Sequence, residues 1–167
     1  MAQHPTSRYA ERLAVPWWLW LGGLAAAAFA AAEIYLGAPG LATWVPYVVL
    51  LPLTALGLWW AGRIRVAVRD GELWVDDAHL PIRYISRAGV LSVAEKRAAL
   101  GLRADPLAFI VQRPWIRGAV LVVLEDPADP TPYWVVSARH PDRLVRALRT
   151  AAAEEEVTAE EAGSATG

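Results

Sequence analysis

The sequence contains no cysteine, and it has one lysine and one methionine among 167 residues. Without cysteine the chain cannot form a disulfide framework or a thiolate metal centre. Charge is also nearly absent from one long part of the chain, because only Glu33 is charged between Leu13 and Ala61. A soluble domain rarely contains so long an uncharged stretch. This part of the chain therefore calls for an apolar environment.

The uncharged part consists of two apolar runs, at about residues 13–33 and 41–62. A helix of twenty residues is about 30 Å long, which matches the hydrocarbon core of a bilayer. The connecting sequence EIYLGAPG contains two glycines and a proline, which favour a tight reversal. Residues 13–62 are therefore predicted to form a transmembrane helical hairpin.

A cleaved signal peptide is the alternative for the first run, with Arg8 and Arg12 as its basic region and Ala32 before the cut. The run exceeds the usual length of a signal-peptide apolar core, and a second apolar run follows it, so we favour an uncleaved anchor. Glu33 is a functional candidate because acids are rare in membranes. Its place beside the Gly/Pro turn instead favours an interfacial residue of the outer connection.

Arginines flank the apolar runs and predict the orientation of the hairpin. They precede the first run and follow the second, at Arg8, Arg12, Arg63, Arg65 and Arg69, whereas the connection has only Glu33. Basic residues stay on the cytoplasmic side of a membrane. The prediction is a multi-pass protein of the cell (inner) membrane with both termini, including the N-terminal segment 1–12, in the cytoplasm.

Residues 63–153 read as a small α+β domain of about seven short strands closed by a C-terminal helix. Alternating apolar residues in RIRVAVRDGELWV, interrupted by Asp70-Gly71, predict a β-hairpin. Strands are also predicted in LPIRYI, AGVLSV, GAVLVVLE and PYWVVSA, RADPLAFIV is predicted as a loop running into another strand, and helices are predicted in EKRAALGL and HPDRLVRALRTAAA. Residues 154–167 carry five glutamates and no base, and we expect a disordered acidic tail there.

No arrangement of residues in the sequence indicates catalysis. The histidines, His4, His79 and His140, lack partners at metal-ligand spacing. Asp126 and Asp129 in DPADP suit turn positions better than a carboxylate pair. Residues 63–153 carry fourteen bases and ten acids, but the arginines are spread over many segments and match no nucleic-acid module. We expect no metal, cofactor or nucleic acid, and the sequence identifies no small-molecule substrate.

The segment RPWIRG is the strongest candidate for a contact site. It places Trp115 and Ile116 between Arg113 and Arg117, just before a predicted strand. An apolar tip flanked by cations could enter the membrane interface, where each base near anionic lipid contributes about 1 kcal/mol. In the alternative interpretation Trp115 packs into the domain core and the arginines are solvated.

Four segments carry a family resemblance: YAERLAVPWWLWL, RDGELWV, RPWIRGAV and DPADPTPYWVVSARHPDRLVRAL. Together they resemble an uncharacterised family of small actinobacterial membrane proteins, a domain-of-unknown-function family, over about residues 9–153. The resemblance implies two membrane spans and a cytoplasmic domain, and no reaction. The domain layout is also similar to bacterial pleckstrin-homology-like modules, with a bent sheet or barrel capped by a helix.

The function predicted from the sequence is a non-catalytic, membrane-tethered interaction module. It would bind a membrane or cytoplasmic protein partner, or the inner-leaflet surface of the bilayer. The alternative is a membrane-anchored enzyme with a site near residues 126–140, built on Asp126, Asp129 and His140.

Overall fold

The structure is a computed structural model that describes residues 8–38, 40, 42–101 and 105–164. It divides into two compact units. Residues 14–64 form a helical unit, and the chain on either side of them, through Leu13 and from Arg65, forms an α+β unit. The described residues contain four α-helices and eight strands.

The helical unit consists of α1 (Trp17–Gly37) and α2 (Val45–Ala61). Of the described helices, α1 is the one long and apolar enough to cross a membrane. Helix α2 is apolar but shorter, at 17 residues. It continues through Pro52, and the predicted start of the second run, Leu41, lies outside the described residues. Glu33 is exposed near the end of α1.

Small residues of α1 make its contact with α2. The position of a Cβ on Gly23 would lie 3.1 Å from Leu58 Cδ1 and 3.6 Å from Thr54 Cγ2. Ala27 and Ala31 follow at four-residue spacing and are buried. Small residues at this spacing let helix backbones approach closely. Large apolar side chains elsewhere on both helices are exposed, among them Trp18, Phe29, Leu53 and Trp60.

The first sheet of the α+β unit is an antiparallel meander of β1 (Tyr9–Arg12), β2 (Arg65–Arg69), β3 (Glu72–Val75) and β4 (Ala78–Pro81). The predicted Asp70-Gly71 hairpin is confirmed, because both residues have positive φ and join the paired residues Arg69 and Glu72. Strand β1 pairs with β2 although 52 residues separate Arg12 from Arg65.

The second sheet has the order β5 (Ile85–Val90), β7 (Ala119–Leu124), β8 (Tyr133–Ser137) and β6 (Phe109–Val111). Strand β6 is parallel to β8, and the other pairs are antiparallel. A 3₁₀ turn at Ile82–Tyr84 separates β4 from β5, so the predicted strand LPIRYI is two strands joined by that turn. Helix α3 (Val93–Ala99) begins with a Ser92–Glu95 capping box.

Helix α4 (Pro141–Ser164) packs against strands of both sheets. Its buried side chains, Leu144, Val145, Leu148 and Ala151, recur at helical spacing and face the core. The expectation of a disordered tail from Glu154 is wrong as far as Ser164, since the helix continues to that residue. Alanine and glutamate are strong helix formers, and Glu154 forms an ion pair with Arg8.

The domain boundary predicted at residue 63 also differs from the structure. Residues 9–12, assigned from the sequence to a separate N-terminal segment, form an edge strand of the first sheet. Tyr9 and Leu13 are buried in the α+β unit. The helical segment is therefore an insertion between two neighbouring strands of one domain, and it does not simply precede that domain.

Candidate functional site

The RPWIRG loop packs against the domain. Ile116 is 3% exposed, and its N–H donates to the carbonyl of Arg113, which closes a tight turn. The Arg113 N–H donates to the buried hydroxyl of Ser137, 3.0 Å away. The Lys96 ammonium donates to the carbonyls of Ile116 and Arg117, and burial lowers the pKa of that ammonium. The loop is thus tied to β8 and α3.

Trp115 is half-buried, and its indole N–H donates to the Leu13 carbonyl at 3.3 Å. The side chain of Ile116 is enclosed and does not form part of an exposed tip, whereas Trp115 is neither in the core nor fully exposed. Arg117 is exposed, whereas the Arg113 Nε is buried and has no hydrogen-bond partner among the described residues. Contact of Arg117 and the open part of Trp115 with lipid or a partner stays a prediction.

Glu11 holds β1 to the start of α4. Its side chain is 8% exposed, and its carboxylate accepts hydrogen bonds from the backbone N–H groups of Arg139 (2.6 Å) and His140 (3.3 Å). The His140 Nδ1 lies 3.3 Å from the same carboxylate, and the Tyr9 hydroxyl donates to it at 2.5 Å. Burial, followed by the hydrogen bond and charge of Glu11, raises the pKa of Tyr9.

Asp126 and Asp129, two of the residues proposed for a membrane-anchored enzyme, accept hydrogen bonds from nearby backbone N–H groups. Asp126 accepts from the backbone N–H of Ala128, and Asp129 accepts from that of Thr131, as expected for turn residues. Hydrogen bonds from Thr131 lower the pKa of Asp129. Among the described residues, the hydrogen bonds and ion pairs join His140 to Glu11 and not to either aspartate.

A basic trough lies on the outer face of the first sheet and was not predicted from the sequence. Its volume is about 390 Å³. Strand alternation places Arg65, Ala67 and Arg69 of β2 on this face, and the register sets Ala67 opposite both Ala10 and Trp74. The small alanines leave space that arginines and Trp74 border. The lining residues are Ala10, Glu11, Arg12, Arg65, Val66, Ala67, Arg69, Trp74 and Asp76.

Arg12 and Arg65 are directly paired across β1 and β2. Like charges in that position repel each other and destabilise a sheet. Among the described residues, no carboxylate forms an ion pair with Arg12, Arg65 or Arg69. The Arg69 guanidinium lies 4.5 Å from the centre of the Trp74 ring, in cation–π geometry. The trough therefore gathers three cations that the domain does not neutralise by ion pairing.

A second groove, of about 910 Å³, lies between β1 and α4 and shares Ala10, Glu11 and Arg12 with the trough. Arg143 and Arg146 border it from the helix. The carboxylate of Glu154 engages the Arg8 guanidinium through both oxygens, so part of this groove's charge is neutralised within the chain. The trough lacks such a partner among the described residues.

The sequence contains two signals of this surface, neither of which is sufficient to predict it. YAERL alternates inward residues Tyr9, Glu11 and Leu13 with outward Ala10 and Arg12, but four residues of strand are too few to distinguish from a helix start. The arginines of β2 are the second signal, but the positive-inside rule already accounts for arginines beside an apolar run. Their convergence with Arg12 depends on the pairing of β1 with β2, which is distant in sequence.

These features define an α+β protein with a helix long and apolar enough to cross a membrane, inserted between paired strands. The chain belongs to the family described as "Protein of unknown function (DUF3093)", which it matches over residues 8–148. The predicted membership of a domain-of-unknown-function family is thereby confirmed. No curated protein and no solved structure matches the chain.

Proposed function

We propose that this protein is a non-catalytic interaction module anchored in the cell membrane. Helices α1 and α2 form a hairpin that crosses the bilayer twice, and both termini are cytoplasmic. The hairpin holds a pleckstrin-homology-like α+β domain at the inner leaflet, where the domain binds a protein partner or the leaflet surface.

The pairing of β1 with β2 is the observation that carries the two-span topology. Arg12 and Arg65 are neighbours in one sheet, so they lie on the same side of any membrane. The chain between them must then cross the bilayer an even number of times. Because α1 is a membrane-crossing candidate, the return crossing falls to α2. A peptidase cut after Ala32 would separate β1 from its sheet, which argues against the signal-peptide alternative.

Length and surface character also support a spanning α2. Seventeen helical residues extend about 26 Å, which a bilayer accommodates by modest thinning or by anchoring of the flanking residues. Its large side chains, including Leu53, Leu56, Trp59 and Trp60, are exposed. Exposure of so large an apolar surface is favourable in lipid and unfavourable in water.

The charge around the junctions supports a cytoplasmic domain. Arg8 and Arg12 stand before α1, and Arg63 and Arg65 stand after α2, in agreement with the positive-inside rule. The pleckstrin-homology-like assignment draws support from the architecture: two four-stranded sheets and a C-terminal helix packed on both. A tether of this kind raises the local concentration of the domain near the leaflet without any new contact.

Site-specific photo-crosslinking in intact cells tests the interaction role. A photoreactive residue is placed at exposed positions of the domain, Ala10, Ser86 and Arg97, and at Thr43 in the connection between the helices. The domain probes are expected to capture one protein partner or membrane lipid in a pattern that differs from that of Thr43. Membranes washed with carbonate should retain the full chain. The proposal fails if the domain probes capture nothing or the chain is washed off.

A further inference from the structure

We propose that the basic trough binds the phosphate group of an anionic phospholipid headgroup of the inner leaflet, through Arg12, Arg65 and Arg69. This inference rests on the proposed function, because it requires the domain to face that leaflet. The trough is separate from the RPWIRG loop, whose residues do not line it.

The first support is electrostatic. Arg12 and Arg65 lie directly opposite each other on neighbouring strands and repel. An anion bound between them attracts both guanidinium groups and offsets this repulsion. Guanidinium groups bind phosphate oxygens in bidentate geometry and are the preferred side chains for that purpose. Arg69 stacks on Trp74 and supplies a third cation, on the opposite side of the cross-strand row Ala10–Ala67–Trp74 from Arg12 and Arg65.

The carboxylates near the trough do not form ion pairs with its three arginines among the described residues. Glu11 lines it, but its oxygens accept from Tyr9, Arg139 and His140. Asp76 is exposed and forms no ion pair with a described residue. Glu72 is paired with Arg69 across β2 and β3 but does not line the trough.

The second support is the short chain that joins the trough strands β1 and β2 to the hairpin. It favours a lipid over a soluble anion as the ligand. Arg12 precedes the first residue of α1, Trp17, by five positions, and Arg65 follows the last residue of α2, Ala61, by four. Extended chains of these lengths reach about 14–18 Å at most. With both helices in the bilayer, Arg12 and Arg65 stay within reach of the headgroup layer. A soluble phosphate would have no need of this proximity.

The test uses the full chain in an uncharged detergent, with bound lipid counted by native mass spectrometry. The probes are dioleoyl phosphatidylglycerol, dioleoyl phosphatidylcholine and inorganic phosphate. The trough variant is Arg65→Gln with Arg69→Gln, which leaves Arg8, Arg12 and Arg63, three of the five arginines that flank the helices, in place. The matched control is Arg87→Gln with Arg97→Gln, which removes the same charge from exposed positions outside the trough.

The anionic lipid is expected to bind the natural chain more tightly than phosphatidylcholine. Since each base near an anionic surface contributes roughly a fivefold factor, the trough variant should lose about 30-fold in affinity. The control should change by less than about twofold, and inorganic phosphate at equal concentration should not displace the lipid. Arg65→Gln alone should leave the melting temperature without lipid unchanged or higher, since it relieves the repulsion with Arg12.

Equal losses in both double variants would overturn the inference, because binding would then follow net charge and not the trough. Displacement by inorganic phosphate would also overturn it, because the site would then serve a soluble anion. Either result leaves the anchored interaction module intact, provided that carbonate-washed membranes still retain the chain. Loss of the chain from those membranes would instead contradict the proposed function.

Discussion

A chain in which residues 14–63 are replaced by Asn-Gly is expected to fold as a soluble domain, whereas the same chain without residues 1–13 is expected to remain unfolded. Arg12 and Arg65 are paired antiparallel neighbours. In the replacement, Leu13, Asn-Gly and Ile64 form a four-residue loop, within the usual range for a β-hairpin. The inserted helical segment is thus expected to be dispensable for the fold of the domain, whereas β1 is expected to be required.

The cost of losing β1 follows from what its segment buries. Leu13 is fully enclosed and Tyr9 is 9% exposed. Removing a large buried side chain costs about 2–5 kcal/mol, and two are lost together with the Glu11 hydrogen bonds. A domain of this size has a free energy of unfolding of about 5–15 kcal/mol, so the loss consumes most of it. Deletion also exposes β2 as a new sheet edge.

Thermal unfolding followed by circular dichroism, with amide NMR spectra, compares the two soluble chains. The Asn-Gly chain should show one cooperative transition and dispersed amide signals. The chain that lacks residues 1–13 should show neither. Equal melting temperatures would mean that β1 contributes nothing to the domain, and the even number of crossings inferred from its pairing would lose its basis.

Gly118→Ala is expected to destabilise the α+β domain by about 3 kcal/mol, at the upper end of the cost of overpacking. A Cβ at this position would lie 2.4 Å from the Ala138 carbonyl oxygen and about 3.1 Å from the Pro141 ring. The Gly118 carbonyl also accepts from the Ala138 N–H at 3.1 Å, so the backbones cannot separate without losing that bond. The melting temperature of the full chain in uncharged detergent should fall by more than about 10 °C.

Gly89→Ala in β5 is the matched control. Nothing lies within 4 Å of a Cβ built at Gly89, and its φ is not positive. Alanine there reduces the entropy of the unfolded chain and should change the stability by less than about 1 kcal/mol, toward greater stability. Equal melting temperatures for Gly118→Ala and Gly89→Ala would contradict the close backbone packing between the end of the RPWIRG loop and the β8–α4 connection.

Local signals predicted the later strands and the start of the last helix well. The Asp70-Gly71 turn needs positive φ at two adjacent positions, which that pair adopts readily, and the structure has it there. The strands over Ala119–Leu124 and Tyr133–Ser137 are continuous apolar runs bounded by turn residues. Local sequence is enough in these cases because the same few residues determine both the element and its ends.

The position of Arg12 in the trough and the packing of the RPWIRG loop could not be predicted from local sequence, because both depend on contacts distant in sequence. Arg12 lies beside the other trough arginines because β1 pairs with β2, where its partner Arg65 is 53 residues later in the sequence. Trp115 is fixed by the carbonyl of Leu13, and Ile116 by a turn whose carbonyls bind Lys96. The acidic end of α4 resembles a disordered tail in the sequence because Val157 is its one large apolar residue, although its alanines and glutamates favour the helix that extends to Ser164.

Cysteine accessibility tests the central topology most directly, because the natural chain has no cysteine to give a background. Single cysteines are placed at Ala10 in β1, Thr43 between the helices and Ser86 in β5, all of which are exposed. In intact spheroplasts a membrane-impermeant maleimide should label the Thr43→Cys protein alone. The Ala10→Cys and Ser86→Cys proteins should both react with the maleimide, and only after permeabilisation. Labelling of either in intact spheroplasts, or protection of Thr43→Cys, would contradict the two-span cytoplasmic topology.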